Sequence, residues 1–229
     1  MPVLEPPVDL AHFPITHGFW IDESNNPDFK DFYTVFDNHH PGVDFDLPES
    51  SPIRASLAGI VVRKEFHQGM GNTLAIRLGN IYVLYAHLSK FLVDLGQIIL
   101  PKQLIAFSGN TGTATTGPHL HFELRDLTKI PLKDSVSEPI FGQEIKNFQP
   151  TFVYTINNTN TEKTFVNLAV RYFGLSHYAS VIRDHNPNLK DISLDSPLPQ
   201  DQPILIPSLK LETGSTSTMP TVKSTTLSL

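Results

Sequence analysis

Asn72-Thr-Leu-Ala-Ile-Arg-Leu78, then Gly79-Asn80, then Ile81-Tyr-Val-Leu-Tyr-Ala-His87 is the stretch that decides the fold. Two strand-like runs joined by two turn-forming residues are the signature of a β-hairpin. The same grammar recurs on both sides. Upstream, Gly42-Val-Asp-Phe-Asp-Leu47 sets Val43, Phe45 and Leu47 against Asp44 and Asp46, the alternation of a half-buried strand. Ala58-Gly-Ile-Val-Val-Arg-Lys-Glu-Phe66 reads as another strand. Downstream, Lys102-Gln-Leu-Ile-Ala-Phe107 runs into the turn Gly109-Asn-Thr-Gly112. His119-Leu-His-Phe-Glu-Leu-Arg125 alternates again, with Leu120, Phe122 and Leu124 on one face and His119, His121 and Glu123 on the other.

Composition agrees with a mainly β chain. Of 229 residues only 17% are charged, 40% are apolar, and there are 13 Gly and 19 Pro. Low charge with abundant Pro and Gly favours a turn-rich protein over a helical bundle. The net charge of -6 gives no support to a nucleic-acid partner, which requires a basic face. No run approaches the roughly 18 apolar residues of a membrane helix, so no membrane insertion is expected. The N-terminus, Met1-Pro-Val-Leu-Glu5, has neither the basic nor the apolar segment of a signal peptide, and the compartment stays open. Cysteine is absent, so a metal would have to be held by His, Asp or Glu.

The histidines carry the chemistry. On a strand, His119 and His121 share a face with Cα atoms roughly 6.5 Å apart, close enough to converge on one site. A lone His-x-His is more often a pair of surface histidines. In His40-Pro-Gly-Val-Asp44, a straight strand would hold the His and Asp roughly 13 Å apart. A turn at Pro41-Gly42 would fold the imidazole back toward the carboxylate. Two His, one Asp and an open fourth position make a sensible catalytic zinc set. His39 has no acid four residues on. His87 ends the second hairpin strand in Leu84-Tyr-Ala-His-Leu-Ser89. Spacing alone does not say whether His119 or His121 would bind a metal. A thiol nucleophile and a Gly-x-Ser-x-Gly elbow are both missing.

Four motifs occur in order: His-Pro-Gly-Val-Asp, Tyr-Ala-His-Leu-Ser, Gly-Asn-Thr-Gly and Gly-Pro-His-Leu-His-Phe-Glu. Over roughly residues 13 to 130 the chain resembles the lysostaphin-type (LytM-like) zinc metallopeptidases, which cut peptidoglycan peptides. The resemblance implies an antiparallel β-sheet core with a groove bounded by loops. It implies Zn2+ held by His40, Asp44 and His121, with His87 and His119 as catalytic, non-ligand histidines. It implies bacterial peptidoglycan as substrate. The front departs from the family: Gly18-Phe19-Trp20 lacks the usual Gly-x-Arg arginine, and Ile21 to Phe36 reads as an inserted loop. Trp20, Tyr33 and Phe36 are expected to pack, with lining of the groove as the alternative.

A second pattern follows. Tyr154-Thr-Ile156 is strand-like; Phe165, Leu168, Ala169 and Tyr172 fit a helix stopped by Gly174; Ala179 to His185 is a second short helix; Pro203-Ile-Leu-Ile-Pro207 closes as a strand. Through Arg171-Tyr-Phe-Gly, His185-Asn-Pro-Asn and Pro203-Ile-Leu-Ile-Pro this region resembles a small α+β (βααβ) LysM module of the phage-tail type. Thr164-Phe-Val-Asn stands in place of the usual Gly-Asp-Thr-Leu opening. The expected organisation is an N-terminal lead (1–12), a peptidase domain (13–145), a LysM-like domain (152–208) and a disordered Ser/Thr-rich tail (209–229).

Three functions compete at this stage. The first is a zinc endopeptidase acting on wall cross-links or stem peptides. The second is a catalytically silent scaffold or activator of wall hydrolysis. The third is a phage-tail-like component that carries a wall-opening peptidase and has phage-like or cell-envelope assembly partners.

Overall fold

The computed structural model describes residues 1–29 and 31–209. The tail expected to be disordered lies, from residue 210 on, outside the described residues. In chain order the strands are β1 (Ile15–His17), β2 (Val43–Asp46), β3 (Pro52–Arg54), β4 (Gly59–His67), β5 (Gly71–Leu78), β6 (Ile81–Leu88), β7 (Lys90–Phe91), β8 (Ile98–Ile99), β9 (Leu104–Phe107), β10 (His119–Asp126), β11 (Val136–Ser137), β12 (Thr151–Thr155) and β13 (Pro203–Pro207). The helices are α1 (Leu132–Ser135), α2 (Phe165–Phe173) and α3 (Ala179–Asp184). The protein is mainly β, and its strand pairs are antiparallel. Among the described residues no helix is long and apolar enough to cross a membrane.

One eight-stranded sheet dominates. Its order is β1-β2-β10-β6-β5-β4-β8, with β11 added on β10. Strands β3, β9 and β7 form a small second sheet. The alternation read in the sequence sorts the faces of the large sheet. Val43, Phe45, Val83, Tyr85, Leu120 and Phe122 enter one hydrophobic core. Asp44, His121 and Glu123, at the intervening positions, point to the opposite face. The anticipated β5–β6 hairpin forms around Gly79, whose φ of +58° favours glycine and where a Cβ would lie 2.0 Å from the Gln149 carbonyl oxygen.

The hairpin is not regular. Asn72 pairs with Leu88 and Leu74 with Tyr85, so Ala86 and His87 stand opposite Thr73 alone. This is a β-bulge, and His87 takes a left-handed conformation with φ 59°. Strict alternation after Ile81, Val83 and Tyr85 would send His87 into the core. The bulge hands that core position to Leu88 and turns His87 to the other face.

The C-terminal segment follows the predicted strand, helix, helix, strand order, and β12 pairs with β13 along their whole length. Thr164 caps α2 by accepting from the Asn167 N–H at 3.0 Å, and Gly174 ends it with φ 78°. Buried Asn186 ties α3 to β13: its Nδ2 donates to the carbonyls of Ile182 and Leu205, and its Oδ1 accepts from Leu205 N. Phe152, Phe165, Leu168, Phe173 and Ile204 centre a second hydrophobic cluster, which Ile60 of β4 joins.

Arg77 of β5 fastens this cluster to the large sheet. Its guanidinium is buried and donates to the carbonyls of Tyr172, Gly79 and Pro207, while lying 4.5 Å over the Phe173 ring. Burial pushes its pKa down to about 9, which leaves it charged at neutral pH.

Candidate metal centre

His40, Asp44 and His121 meet on the polar face of the sheet. Antiparallel pairing of β2 with β10 places Asp44 directly opposite His121. His40 precedes β2 and reaches the same point because the chain turns at Pro41-Gly42, as its spacing required. Gly42 permits that turn by lying hard against β10, where a Cβ would sit 2.2 Å from the Phe122 carbonyl oxygen. Three atoms converge: His121 Nδ1 is 2.8 Å from Asp44 Oδ1, His40 Nε2 is 3.0 Å from His121 Nδ1, and His40 Nε2 is 3.3 Å from Asp44 Oδ1.

This triangle fits a zinc ion. Tetrahedral ligands about 2.0–2.1 Å from zinc stand about 3.3 Å from one another. The three donor pairs fall at or just below that spacing, and nitrogen and carboxylate oxygen are suitable donors. The far side of each imidazole is anchored, as metal-binding histidines require. His40 Nδ1 donates to the Gly18 carbonyl at 2.8 Å, which frees the Nε2 lone pair toward the site. His121 Nε2 faces Glu123 Oε1 at 3.0 Å, which frees Nδ1. Glu123 is fully buried and is itself paired with Arg125.

These contacts also make a buried ionic cluster. Burial opposes charge on His121, but the carboxylates of Asp44 and Glu123 outweigh it and raise its pKa to about 9. Burial also works against the Asp44 carboxylate, yet hydrogen bonds from His121 and His40 hold it well below the usual range. Burial of Glu123 is likewise overcome, by Arg125 and His121, and its pKa falls to about 2.

The other two predicted histidines flank this triangle. The His87 ring lies 4.4 Å from that of His119 and 6.2 Å from that of His121. His87 Nδ1 donates to the Thr111 carbonyl at 2.8 Å, and His119 Nδ1 donates to the Gly117 carbonyl at 2.9 Å. Carbonyls only accept, so both rings carry the proton on Nδ1 and keep Nε2 free. Burial first, and the neighbouring His119 and His121 second, push the His87 pKa down to about 3, so it is neutral. The loop bearing Thr111 is held by the Gly109–Gly112 turn, in which Gly112 has φ 93° and packs on the Gly69 carbonyl.

The structure therefore gathers all five predicted residues. His39 stays apart, stacked on Trp20 at 4.9 Å. Tyr33 packs edge-on to His40 at 5.6 Å, and burial, then Asp44, raises its pKa, so the phenol stays neutral. Phe36 is buried, as packing would have it. Sequence reasoning assigned no role to Glu123, although its place two residues after His121 on the same face was the available signal. It also passed over His17, whose ring meets His40 at 4.7 Å and whose Nε2 contacts buried Glu23 at 2.6 Å. No motif marked that pair.

Residues 38–133 match the model of Peptidase family M23. The chain is 48% identical over 86 residues to the peptidoglycan DD-endopeptidase ShyA of Vibrio cholerae, covering 37% of this chain and 20% of that protein. It is 43% identical over 121 residues to the peptidoglycan DD-endopeptidase ShyB of the same species, covering 52% and 26%. The chain thus spans a fifth to about a quarter of these curated relatives. The solved catalytic domain of lysostaphin from Staphylococcus simulans is 26% identical, with a TM-score of 0.48 over 57% of this chain and 91% of that one.

Proposed function

Because residues 38–133 form an M23-type peptidase domain, we propose that the protein is a zinc endopeptidase hydrolysing peptides of bacterial peptidoglycan. His40, Asp44 and His121 hold the metal, and His87 and His119 act beside it. The observation that carries this reading is the orientation of the four histidines. Each has one ring nitrogen tied to a backbone carbonyl or a carboxylate, which leaves the other free for the site. The naming of both Vibrio cholerae relatives as DD-endopeptidases supports a D,D cross-link as the bond cut.

Zinc supplies Lewis acidity toward the scissile carbonyl and lowers the pKa of water. The protein's own work is proton handling and charge stabilisation. The His87 and His119 rings each offer an Nε2 that can accept a hydrogen bond or a proton from the attacking water. Once protonated, such a ring can donate to a developing oxyanion or to the departing amine nitrogen. Thr111 and Gly117 hold the rings in the tautomer this requires. Glu123 keeps the His121 proton on Nε2, away from the metal side.

The presence of all five residues in working geometry argues against a catalytically silent scaffold. Residues 152–208 constitute a LysM-like accessory module in this reading, supported by their strand–helix–helix–strand order; the peptidase domain spans residues 13–145. The test is metal content plus digestion of purified murein. His121→Ala should lose zinc and activity together. His87→Ala and His119→Ala should each keep zinc while the rate falls about 10²–10⁴-fold. Full digestion by a zinc-depleted His121→Ala protein would end the proposal.

A further inference from the structure

The large sheet carries a cavity away from the metal centre. Its volume is about 450 Å³, and it lies where the β4–β6 and β10 side of the sheet meets α2 and the loop before it. Sheet register explains its position. Arg125 pairs with Tyr82, and Tyr82 with Arg77, in one row across β10, β6 and β5. Arg125 lies on the same face of β10 as His121, four residues along, so roughly 13 Å separates their Cα atoms. Glu123, fully buried between them, keeps the two spaces distinct.

Three properties make this cavity a ligand site. First, its charge runs against that of the chain. The protein has a net charge of -6, yet Arg63, Arg77, Arg125, Lys129 and Arg171 line the wall and no Asp or Glu does. Glu65, Glu123 and Glu162 pair with Arg63, Arg125 and Arg171 from outside the lining, whereas no acidic partner lies within salt-bridge reach of Lys129 among the described residues. Five cations against three carboxylates leave a surplus of two positive charges, on Arg77, whose guanidinium is committed to three backbone carbonyls, and on Lys129. Second, aromatic and aliphatic surface supplies much of the rest, including Tyr82, Tyr154 and Ile130. Ile130 is 88% exposed, an apolar side chain that a ligand would cover. Third, the arginine pairings recorded here use only part of each guanidinium. Each has five N–H donors, so donors remain for a further planar acceptor.

We propose that this cavity binds a carboxylate-bearing peptide of the cell-wall polymer, with its carboxylate at Arg63 and Lys129 and its apolar side chain against Ile130. Of that surplus only the Lys129 charge is uncommitted, which suits a single carboxylate rather than a polyphosphate, and the apolar wall suits a short peptide end such as alanine. The choice of a wall peptide rests on the proposed function; the preference for an organic carboxylate does not. Through Arg125 and Glu123 the cavity is joined by side-chain contacts to His121, so occupancy and the metal centre share a physical connection.

The experiment is calorimetric titration of the full zinc-loaded chain with an uncross-linked disaccharide–tetrapeptide, which contains no cross-link to cut. A parallel titration uses the same compound with its carboxylates amidated. Amidation should weaken binding about tenfold, and Arg63→Ala/Lys129→Ala should abolish that difference. Lys129→Glu, at an exposed position, carries the same test if the double variant folds poorly. Equal affinities for the free and amidated compounds, or an undiminished preference in both variants, would overturn the proposal. Digestion of cross-linked murein is scored separately. Carboxylate-selective binding without digestion sinks the enzymatic reading and keeps the site; digestion without selectivity does the reverse.

Discussion

Asp44 and His121 are direct cross-strand partners, and the hydrogen bond between them, 2.8 Å from Oδ1 to Nδ1, is made by the two atoms that would face a metal. The centre is thus built on sheet register rather than on loops. Rigid strands hold side chains more closely than loops do, and the predictions below follow from how those strands are supported.

Glu123→Gln should weaken zinc binding about 10–100-fold while leaving the fold intact. The amide keeps the shape of the carboxylate but loses its charge, so His121 is oriented less firmly and Arg125 loses its partner. Competition with a chromogenic chelator measures the effect. Unchanged affinity would mean that Glu123 is only a space-filler.

Zinc affinity should climb with pH. The Asp44 and Glu123 carboxylates raise the His121 pKa to about 9, so below that pH a proton must leave Nδ1 before a metal can bind. Displacement of one proton gives up to about tenfold tighter binding per pH unit between pH 6 and 8, with a plateau above about 9. The same shift stabilises the metal-free fold below the unfolded histidine pKa of about 6.5, a contribution lost as pH rises through 9. Chelator titrations at several pH values provide the check, and a flat profile would refute the ionic cluster.

Gly42→Ala should damage the metal centre more than the fold. A Cβ there would lie 2.2 Å from the Phe122 oxygen, which is a backbone atom and cannot swing aside. Strand β2 must shift off β10, and it carries Asp44 and the turn from His40 with it. We expect zinc affinity to fall at least tenfold. Native zinc binding by this variant would show that the contact is easily relieved.

Arg77→Met should loosen the C-terminal cluster from the sheet. Three buried carbonyls, of Tyr172, Gly79 and Pro207, lose their donor. Each orphan costs about 1–3 kcal/mol, and removing a buried charge offsets part of the total. A net loss of about 3 kcal/mol is expected, read as a lower urea midpoint. Arg77→Lys should rescue little, because one ammonium cannot span three carbonyls set by a planar fork.

Much of this molecule was legible because its determinants are local. The alternation in Val43–Leu47 and His119–Arg125 assigned faces correctly, and Gly79-Asn80 placed the hairpin. The Gly174 stop bounded the end of α2 because capping depends on neighbours in sequence. What was not legible depends on contacts distant along the chain. Glu123 could be put on the right face but not given its bond to His121. Arg77 looked like an ordinary strand residue, since its three acceptors come partly from residues about a hundred or more positions later. His17 and Glu23 gave no signal, because they meet each other, and His17 meets His40, only after the front loop folds over.

The bulge at His87 makes the hairpin a counting device. Strand parity decides which side chains face the core, and one extra residue resets the count between Tyr85 and Leu88. Between the Gly79 turn and His87, the protein can therefore exchange one apolar residue for another of similar size, but it cannot gain or lose a single position. Such a length change would bury the histidine and push Leu88 into the site. Over the generations this segment should drift in spelling while its length stays fixed.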